Sequence, residues 1–214
     1  MQFHLSERIP VAAAIAASAR ARSVPQLCAA LRAFDAHPAA VECVAALPKR
    51  TRTVNPLMIL AERPEPEDLV TGHPFSGPNG QPMLRAMKMA GLQLSDFHIS
   101  HAVHWTPFDG KTPNATLVST SRPFLFREIA LVKPRAILAL GRIAIDALIG
   151  LREPITPYVG TTMTWTQGRL NIPVQLSWNP AYCLHVSTAQ ADLERGLTDF
   201  VTRFGETRYF REAA

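Results

Sequence analysis

The sequence predicts an α/β fold, a three-layer α/β/α sandwich around a central four-stranded parallel sheet. Short apolar runs alternate along the chain with longer segments of helical periodicity, the pattern of parallel strands joined by helices. These runs are apolar throughout, as expected for strands that are covered on both faces. A chain of 214 residues can bury one core of this kind, so we expect a single domain over residues 1–214.

The elements follow one another in a regular order. Apolar residues at helical spacing predict a first helix over residues 24–34, followed by a connector rich in small and basic residues. Buried strands are predicted over 56–61, 97–103, 134–141 and 172–178, and helices over 83–92, 116–132, 142–150 and 188–204. Pro123 predicts an interruption of its helix, and Gly91 and Gly150 predict helix ends. Gly141 allows a tight turn after the third strand.

Charge and cysteine usage narrow the class of protein. The formal net charge is +5, and residues 1–53 hold seven basic against three acidic side chains. This basic helical segment and connector, expected to pack on the domain, favours a polyanionic partner. Three cysteines without CxxC spacing indicate neither a zinc knuckle nor a disulfide framework. This cysteine usage fits a reducing cytoplasm, and we expect a cytoplasmic protein of bacterial type, associated with the nucleoid. No segment is long enough to span a bilayer, so no association with a membrane is expected.

The ends of the predicted strands carry the unusual sequences. In an open parallel sheet, ligands bind outside the carboxyl ends of the strands. The first strand is followed by "AERPEPED", the second by "HWTPFDGKTPN", the third by "GRIA" and the fourth by "NPAYCLH". We therefore expect these four loops to converge on one crevice.

These loops resemble the motifs of a known family. "AERPEPEDLVTGHPFSGPNGQPML" resembles the first signature of the uracil-DNA glycosylase superfamily, in particular the family-four pattern GEAPGxxEDxxGxPFVGxxGxLL. "FHISHAVHWTP" is similar to "VYITNVVKWRPP", and "IPVQLSWNPAYCLH" is similar to the second signature, "IPVLPTYHPAYLLR". "FREIALVKPRAILALGRIAIDALIG" matches the helix, strand and helix between them. The resemblance covers about residues 24–204 and implies a uracil-DNA glycosylase-like fold.

The sequence also departs from that family at several positions. His37 and Ser121 stand where the family-four class has cysteines of an iron-sulfur cluster, so we expect no cluster, no cofactor and no metal. Asn179 replaces the signature His, and His101 replaces the Asn that reads uracil in the family. Arg63 stands where other classes have Asp or Asn before the proline of the first signature.

The chemistry of N-glycosidic bond cleavage suggests roles for the motif residues. Positive charge develops on the sugar and negative charge on the departing base, so the site needs a carboxylate, polar donors and a held water. The residues that we expect to be catalytic are Glu62, Arg63, Asp68 and Asn179. Glu62 and Asp68 align with acidic positions of the family-four signature, and either could position the water. Arg63 could stabilise anionic uracil or a phosphate, and Asn179 could donate to a base carbonyl.

Base and DNA contacts are also implied by the resemblance. The base must leave the duplex before a pocket can hold it. Phe75 aligns with the aromatic residue on which uracil stacks, His101 would read its Watson-Crick edge, and Glu65 is expected to bind uracil with them. Tyr182 and Leu184 stand where the family inserts a wedge into the stack. Gly77 and His185 are expected to contact DNA, His185 at a phosphate.

Each of these residues also has an ordinary structural interpretation. An acidic cluster such as Glu62 to Asp68 is often a solvated turn or a helix N-terminus, and Phe75 could be core packing. Asn179 before a proline could be a turn residue. The three tryptophans, Trp105, Trp165 and Trp178, are expected in the core. His98, His101 and His104 suggest a metal site, but in an extended strand His101 faces away from the other two.

Two functions remain open at this point. The first is a DNA glycosylase that flips uracil out of single- or double-stranded DNA, excises it and leaves an abasic site. Its substrates could also include other deaminated bases. The second is a degenerate paralogue that binds DNA or a free base without cleavage. The retained Glu62, Asp68 and Phe75 favour the enzyme, and we expect it to act as a monomer.

Overall fold

The computed structural model of the protein describes residues 5–36, 56–106, 112–151 and 153–205. Apart from Ala36, the predicted connector lies outside these residues, and so does His37. Within the described residues the chain forms a five-stranded sheet between two layers of helices. The predicted α/β/α architecture is therefore confirmed, with one strand more than expected.

The sheet has the order β2-β1-β3-β5-β4. The strands are β1 (Leu57–Ala61), β2 (Phe97–His101), β3 (Ala136–Leu140), β4 (Thr162–Gln167) and β5 (Leu170–Ser177). The four predicted strands are β1, β2, β3 and β5, and their pairings are parallel. The additional strand, β4, pairs antiparallel with β5 at the edge of the sheet. The prediction of a four-stranded, wholly parallel sheet was wrong at this edge, where a hairpin turns at Gly168 with a positive φ of 58°.

Eight α-helices occur in the described residues. They are α1 (Leu5–Ala19), α2 (Val24–Arg32), α3 (Pro66–Thr71), α4 (Gln81–Met89), α5 (Ala115–Val132), α6 (Gly141–Ile149), α7 (Pro180–Cys183) and α8 (Ser187–Phe204). Helices α1, α3 and α7 were not predicted. The predicted interruption at Pro123 was wrong, because α5 continues through it. Phe124 and Leu125 beside that proline are fully buried, and this packing outweighs the one backbone hydrogen bond that proline removes.

The sheet is buried on both faces, since alternate residues of a strand point to opposite sides. In β1, Met58 and Leu60 belong to one apolar cluster, together with residues of α1, α2, α5 and α6. Leu57, Ile59 and Ala61 belong to the other, together with residues of α4 and α8. All five residues of β1 are buried, as the continuous apolar run predicts. This two-sided burial holds the carboxyl ends of the strands, and the loops that follow them, in fixed positions.

None of the helices in the described residues is both long enough and apolar enough to cross a membrane.

Candidate active site

A cavity of about 250 Å³ lies at the carboxyl ends of the parallel strands. The loops that follow β1, β2 and β5 supply its walls, as expected for an open parallel sheet. Its lining residues are Ala61, Glu62, Arg63, Glu65, Asp68, Phe75, Asn79, Gly80, His101, Thr112, Asn179, Pro180 and Ala181. Seven residues predicted to act in catalysis or to bind the base are therefore brought together in one place. The prediction that all four loops line one crevice was wrong for the loop after β3, which lies against Asn179 through Gly141 and does not line the cavity.

Glu62 and Asn179 form the central polar pair of the cavity. Glu62 follows β1 directly, and its Oε2 accepts a hydrogen bond of 3.1 Å from Nδ2 of Asn179. The Oδ1 of Asn179 accepts a hydrogen bond of 3.0 Å from the backbone N–H of Ala181 at the start of α7. Hydrogen bonds thus engage both the nitrogen and the oxygen of the Asn179 amide. Asn179 is a helix N-cap, as its ordinary interpretation suggests, and also a partner of the carboxylate.

The pKa of Glu62 is raised above its usual value of 4.5. Burial is the largest cause, because it disfavours the charged carboxylate. The positive charges of Arg63 and Arg142 and the hydrogen bond from Asn179 act in the opposite direction. A carboxyl group with a raised pKa in a cleft is typical of a functional site.

Asp68 is a buried carboxylate that holds the loop on the far side of the cavity. Its Oδ1 accepts hydrogen bonds from the backbone N–H of Ser76 at 2.8 Å and from the Ser76 hydroxyl at 3.0 Å. Its Oδ2 accepts a hydrogen bond of 3.1 Å from the backbone N–H of Glu65, which precedes α3. Both oxygens are therefore engaged with the chain. The acidic cluster does form a helix N-terminus, and it borders the cavity as well.

Phe75 lines the cavity in an unusual backbone conformation. Its φ of 63° lies in the left-handed region, which is rare and unfavourable for a large side chain. The loop turns so tightly here that a Cβ on Gly80 would lie 2.3 Å from Cα of Phe75. Hydrogen bonds from the adjacent Ser76 to Asp68 hold this conformation. Backbone strain that surrounding contacts maintain is frequent at ligand-binding positions.

A second polar group connects Arg63, Glu65 and Asn79. Nη1 of Arg63 lies 3.6 Å from Oε1 of Glu65, and Oε2 of Glu65 accepts a hydrogen bond of 3.0 Å from Nδ2 of Asn79. Sequence reasoning missed Asn79, because "SGPNGQ" has the composition of an ordinary turn. It also missed Thr112, which lines the cavity from the loop after β2.

The three histidines near the end of β2 separate as strand geometry predicts. His98 and His104 both contact Glu128 on α5, at 2.7 Å and 3.3 Å. His101 faces the cavity, and only 6% of its surface is exposed. Burial is the main cause that lowers the pKa of His101 to about 4, so the ring is neutral near pH 7. Among the described residues, no group of three or more His, Cys, Asp or Glu side chains is arranged to hold a metal ion.

Exposed side chains follow Asn179 at the rim. Tyr182 and Leu184 are 46% and 44% exposed, and His185 is exposed beside them. The ring of Tyr182 lies 5.0 Å from that of Trp178, which is partly buried and packs against the apolar cluster that contains Leu57 and Ile59. Trp105 and Trp165 are buried as predicted. Gly77 does not line the cavity. It is buried, and a Cβ there would lie 2.8 Å from Glu67 Oε2.

The residues present do not fit an iron-sulfur cluster held by four cysteines. The chain has three cysteines in all, and the two that the structure describes, Cys28 and Cys183, belong to α2 and α7. The hydroxyl of Ser121 is hydrogen-bonded to the backbone and the ring of His104. Thiolates are the ligands that hold such a cluster, so no step of the chemistry proposed below depends on one.

Comparison with known proteins gives a consistent result. Residues 48–200 match the profile of the uracil DNA glycosylase superfamily. The type-4 uracil-DNA glycosylase of Pyrobaculum aerophilum is 29% identical over 148 residues, which are 67% of this chain and 76% of the relative. The type-4 uracil-DNA glycosylase of Thermotoga maritima is 28% identical over 129 residues, 60% of this chain and 66% of that protein. A further type-4 uracil-DNA glycosylase, from Saccharolobus solfataricus, is 26% identical over 145 residues, 65% of this chain and 67% of its own length. Because the profile matches well over half of the 214 residues, the chain belongs to the uracil DNA glycosylase superfamily.

Proposed function

We propose that this protein is a uracil-DNA glycosylase, which hydrolyses the bond between uracil and deoxyribose in single- or double-stranded DNA. The observation that carries the proposal is the hydrogen-bonded pair of Glu62 and Asn179 in the cavity that Phe75 and His101 also line. Three relatives are named for this activity. In this proposal residues 1–214 form one domain that acts as a monomer.

The proposed reaction begins with a base that has left the stack and entered the cavity. Phe75 stacks on the base, an interaction worth about 1–3 kcal/mol. His101, as a neutral ring, offers one donor and one acceptor to the edge of uracil. The Glu65–Asn79 pair lies in the same wall of the cavity and contributes a further polar contact.

Cleavage then breaks the bond between C1′ of the sugar and N1 of the base. The electron pair leaves with uracil, and the sugar gains positive charge that the Glu62 carboxylate stabilises. Water attacks C1′ and passes a proton to Glu62, while the uracil anion takes a proton from solvent. Asn179 fixes the carboxylate through its hydrogen bond, and Arg63 stabilises the anionic base. The products are free uracil and an abasic site.

Asp68 has a supporting part in this proposal. Its two oxygens already accept three hydrogen bonds from the chain. We therefore propose that Asp68 holds Phe75 in position and that Glu62 positions the attacking water. Tyr182 and Leu184 fill the space that the flipped base leaves, and His185 meets a phosphate. Gly77, where the chain turns tightly beneath Glu67, contacts the DNA in this proposal.

The test is a strand-breakage assay after alkali, with oligonucleotides that carry one uracil in a single or a double strand. We expect the wild type to release uracil and Glu62→Gln to be slower by about 100-fold or more. The matched control is Glu67→Gln, which removes an exposed carboxylate that does not line the cavity. DNA binding without cleavage by the wild type would favour the non-cleaving paralogue. Equal loss in both variants would contradict the role of Glu62.

A further inference from the structure

A cluster of buried polar side chains lies on the opposite face of β2 from the cavity. At its centre is Glu128 of α5, which is fully buried. Its Oε1 lies 2.7 Å from Nε2 of His98, and its Oε2 accepts a hydrogen bond of 2.7 Å from the Ser100 hydroxyl and lies 3.3 Å from Nε2 of His104. An ionised group in an apolar layer is costly to bury unless it is well paired. The proposed chemistry uses none of these residues.

The hydrogen bonds around His104 define the state of the cluster. The hydroxyl of Ser121 accepts a hydrogen bond of 3.0 Å from the backbone N–H of His104 and lies 3.2 Å from its Nδ1. Nε2 of His104, on the other side of the ring, faces Glu128. Burial acts to raise the pKa of Glu128, but the hydrogen bonds from His104 and His98 hold it at about 2. Glu128 is therefore a fixed negative charge at neutral pH.

The residues that contact Glu128 stand on both sides of His101 in the sequence. His98 and Ser100 precede it and His104 follows it, while His101 itself points to the other face of the sheet. The backbone beyond β2 is also held, because the N–H of Ala102 donates to the carbonyl of Ala61 at 2.8 Å. Rotation of the strand end would break several of these contacts together.

The ring of His101 borders the cavity. Only 6% of its surface is exposed, it lines the cavity, and no hydrogen bond of its ring occurs in the described part of the chain. A ligand in the cavity can therefore form hydrogen bonds with this ring. Its orientation is therefore important for whatever enters the cavity.

We propose that Glu128 is a positioning residue for base recognition, which fixes the end of β2 through His98, Ser100 and His104 so that the ring of His101 faces the flipped base. This inference rests on the proposed function, because it takes His101 as the group that meets uracil. Glu128 touches neither the base nor the sugar and acts through His101 alone.

A double-mutant cycle tests this coupling. The four proteins are wild type, Glu128→Gln, His101→Asn and the double variant. The ligand is an oligonucleotide with 2′-fluoro-deoxyuridine, which resists cleavage because fluorine disfavours positive charge on the sugar. We expect Glu128→Gln to weaken binding about tenfold in the wild-type background and less than about threefold beside His101→Asn. Equal losses in both backgrounds would show a general structural effect and would overturn the proposal.

A second variant covers the case in which Glu128→Gln does not fold. Ser100→Ala removes one hydrogen bond to Glu128 and keeps its charge, so the same cycle applies, with an expected loss of about threefold. Here too, a loss that persists beside His101→Asn contradicts the proposal.

An NMR titration of His101 separates this inference from the proposed function. Burial, His104 and Arg63 lower the pKa of His101, whereas Asp68 and Glu128 raise it. Loss of the Glu128 charge should therefore shift the pKa of His101 away from about 4, and Ser100→Ala should leave it nearly unchanged. If the wild type fails to bind the uracil oligonucleotide, the proposed function fails. In that case an unchanged His101 signal in Glu128→Gln would overturn the positioning role as well.

Discussion

Gly141 and Asn179 approach each other so closely that a Cβ on Gly141 would lie 2.6 Å from the Cβ of Asn179. Gly141 directly follows β3 and opens α6 with a φ of 83°, whereas Asn179 follows β5. The two strands are neighbours in the sheet, so this contact sets how far Asn179 can move from Glu62. The absence of a side chain at Gly141 is thus part of the geometry of the cavity.

Gly141→Ala should displace Asn179 and slow uracil release by about 100-fold, since small misplacements in an active site have effects of this size. Gly150→Ala is the matched control, because Gly150 also has a positive φ, 72°, but a Cβ there meets nothing within 4 Å. Both variants should lose about 1–2 kcal/mol of unfolding free energy from backbone strain. Thermal unfolding and single-turnover release measure the two effects. Equal catalytic loss in both variants would contradict this account.

Asn179 has two structural contacts that substitutions can separate. Asn179→Ala removes the cap of α7 and the hydrogen bond to Glu62, whereas Asn179→Ser restores an oxygen that can cap. We expect Asn179→Ala to lose about 1 kcal/mol of stability that Asn179→Ser largely recovers. Both variants should remain slow in uracil release. Recovery of activity in Asn179→Ser would mean that the cap, and not the carboxylate contact, is what matters.

The raised pKa of Glu62 leads to a prediction about pH. The folded state binds the Glu62 proton more tightly than the unfolded chain, so ionised Glu62 destabilises the fold above its raised pKa. Glu62→Gln should therefore raise the Tm at about pH 8, and this gain should vanish near pH 4, where the wild-type carboxyl is protonated. Calorimetry over this range measures the difference. A constant gain at all pH values would contradict the raised pKa.

Phe75 allows a test of the strained turn. Phe75→Ala and Phe75→Gly both remove the aromatic ring, but only glycine adopts a φ of 63° without strain. The glycine variant should be more stable than the alanine variant by about 1 kcal/mol, measured by urea unfolding. Both should bind the uracil oligonucleotide about tenfold more weakly, because each has lost the stacking surface. Alanine as the more stable variant would argue against the left-handed conformation.

The sequence was informative where burial decides structure. The continuous apolar runs identified β1, β2, β3 and β5, because strands buried on both faces have no polar side. The remaining strand, β4, was missed because it lies at the edge of the sheet and carries exposed threonines. Its alternation in "TMTWTQ" before Gly168 was a signal for a hairpin strand.

The candidate site was only partly predictable. The order of the strands brings Glu62 and Asn179 together across 117 positions, and the motifs pointed to both residues. Glu128 had no such signal, since a lone glutamate in a helix usually faces solvent. Asn79 also lacked a signal, because its sequence is that of a turn and its hydrogen bond to Glu65 depends on the tertiary fold. Contacts between distant polar residues depend on packing that no local pattern records.

The aromatic packing behind β2 affects how short this protein can be made. Phe34, which follows α2, stacks on Trp105 at 5.5 Å and meets Phe124 edge-on at 5.3 Å. Arg127 on α5 also donates a hydrogen bond of 2.6 Å to the carbonyl of Ala21. The match to the family profile begins only at residue 48. A chain trimmed to the region of similarity would lose this cover over Trp105, which lies four positions from His101. Residues before the family match therefore help to hold the strand end that borders the cavity.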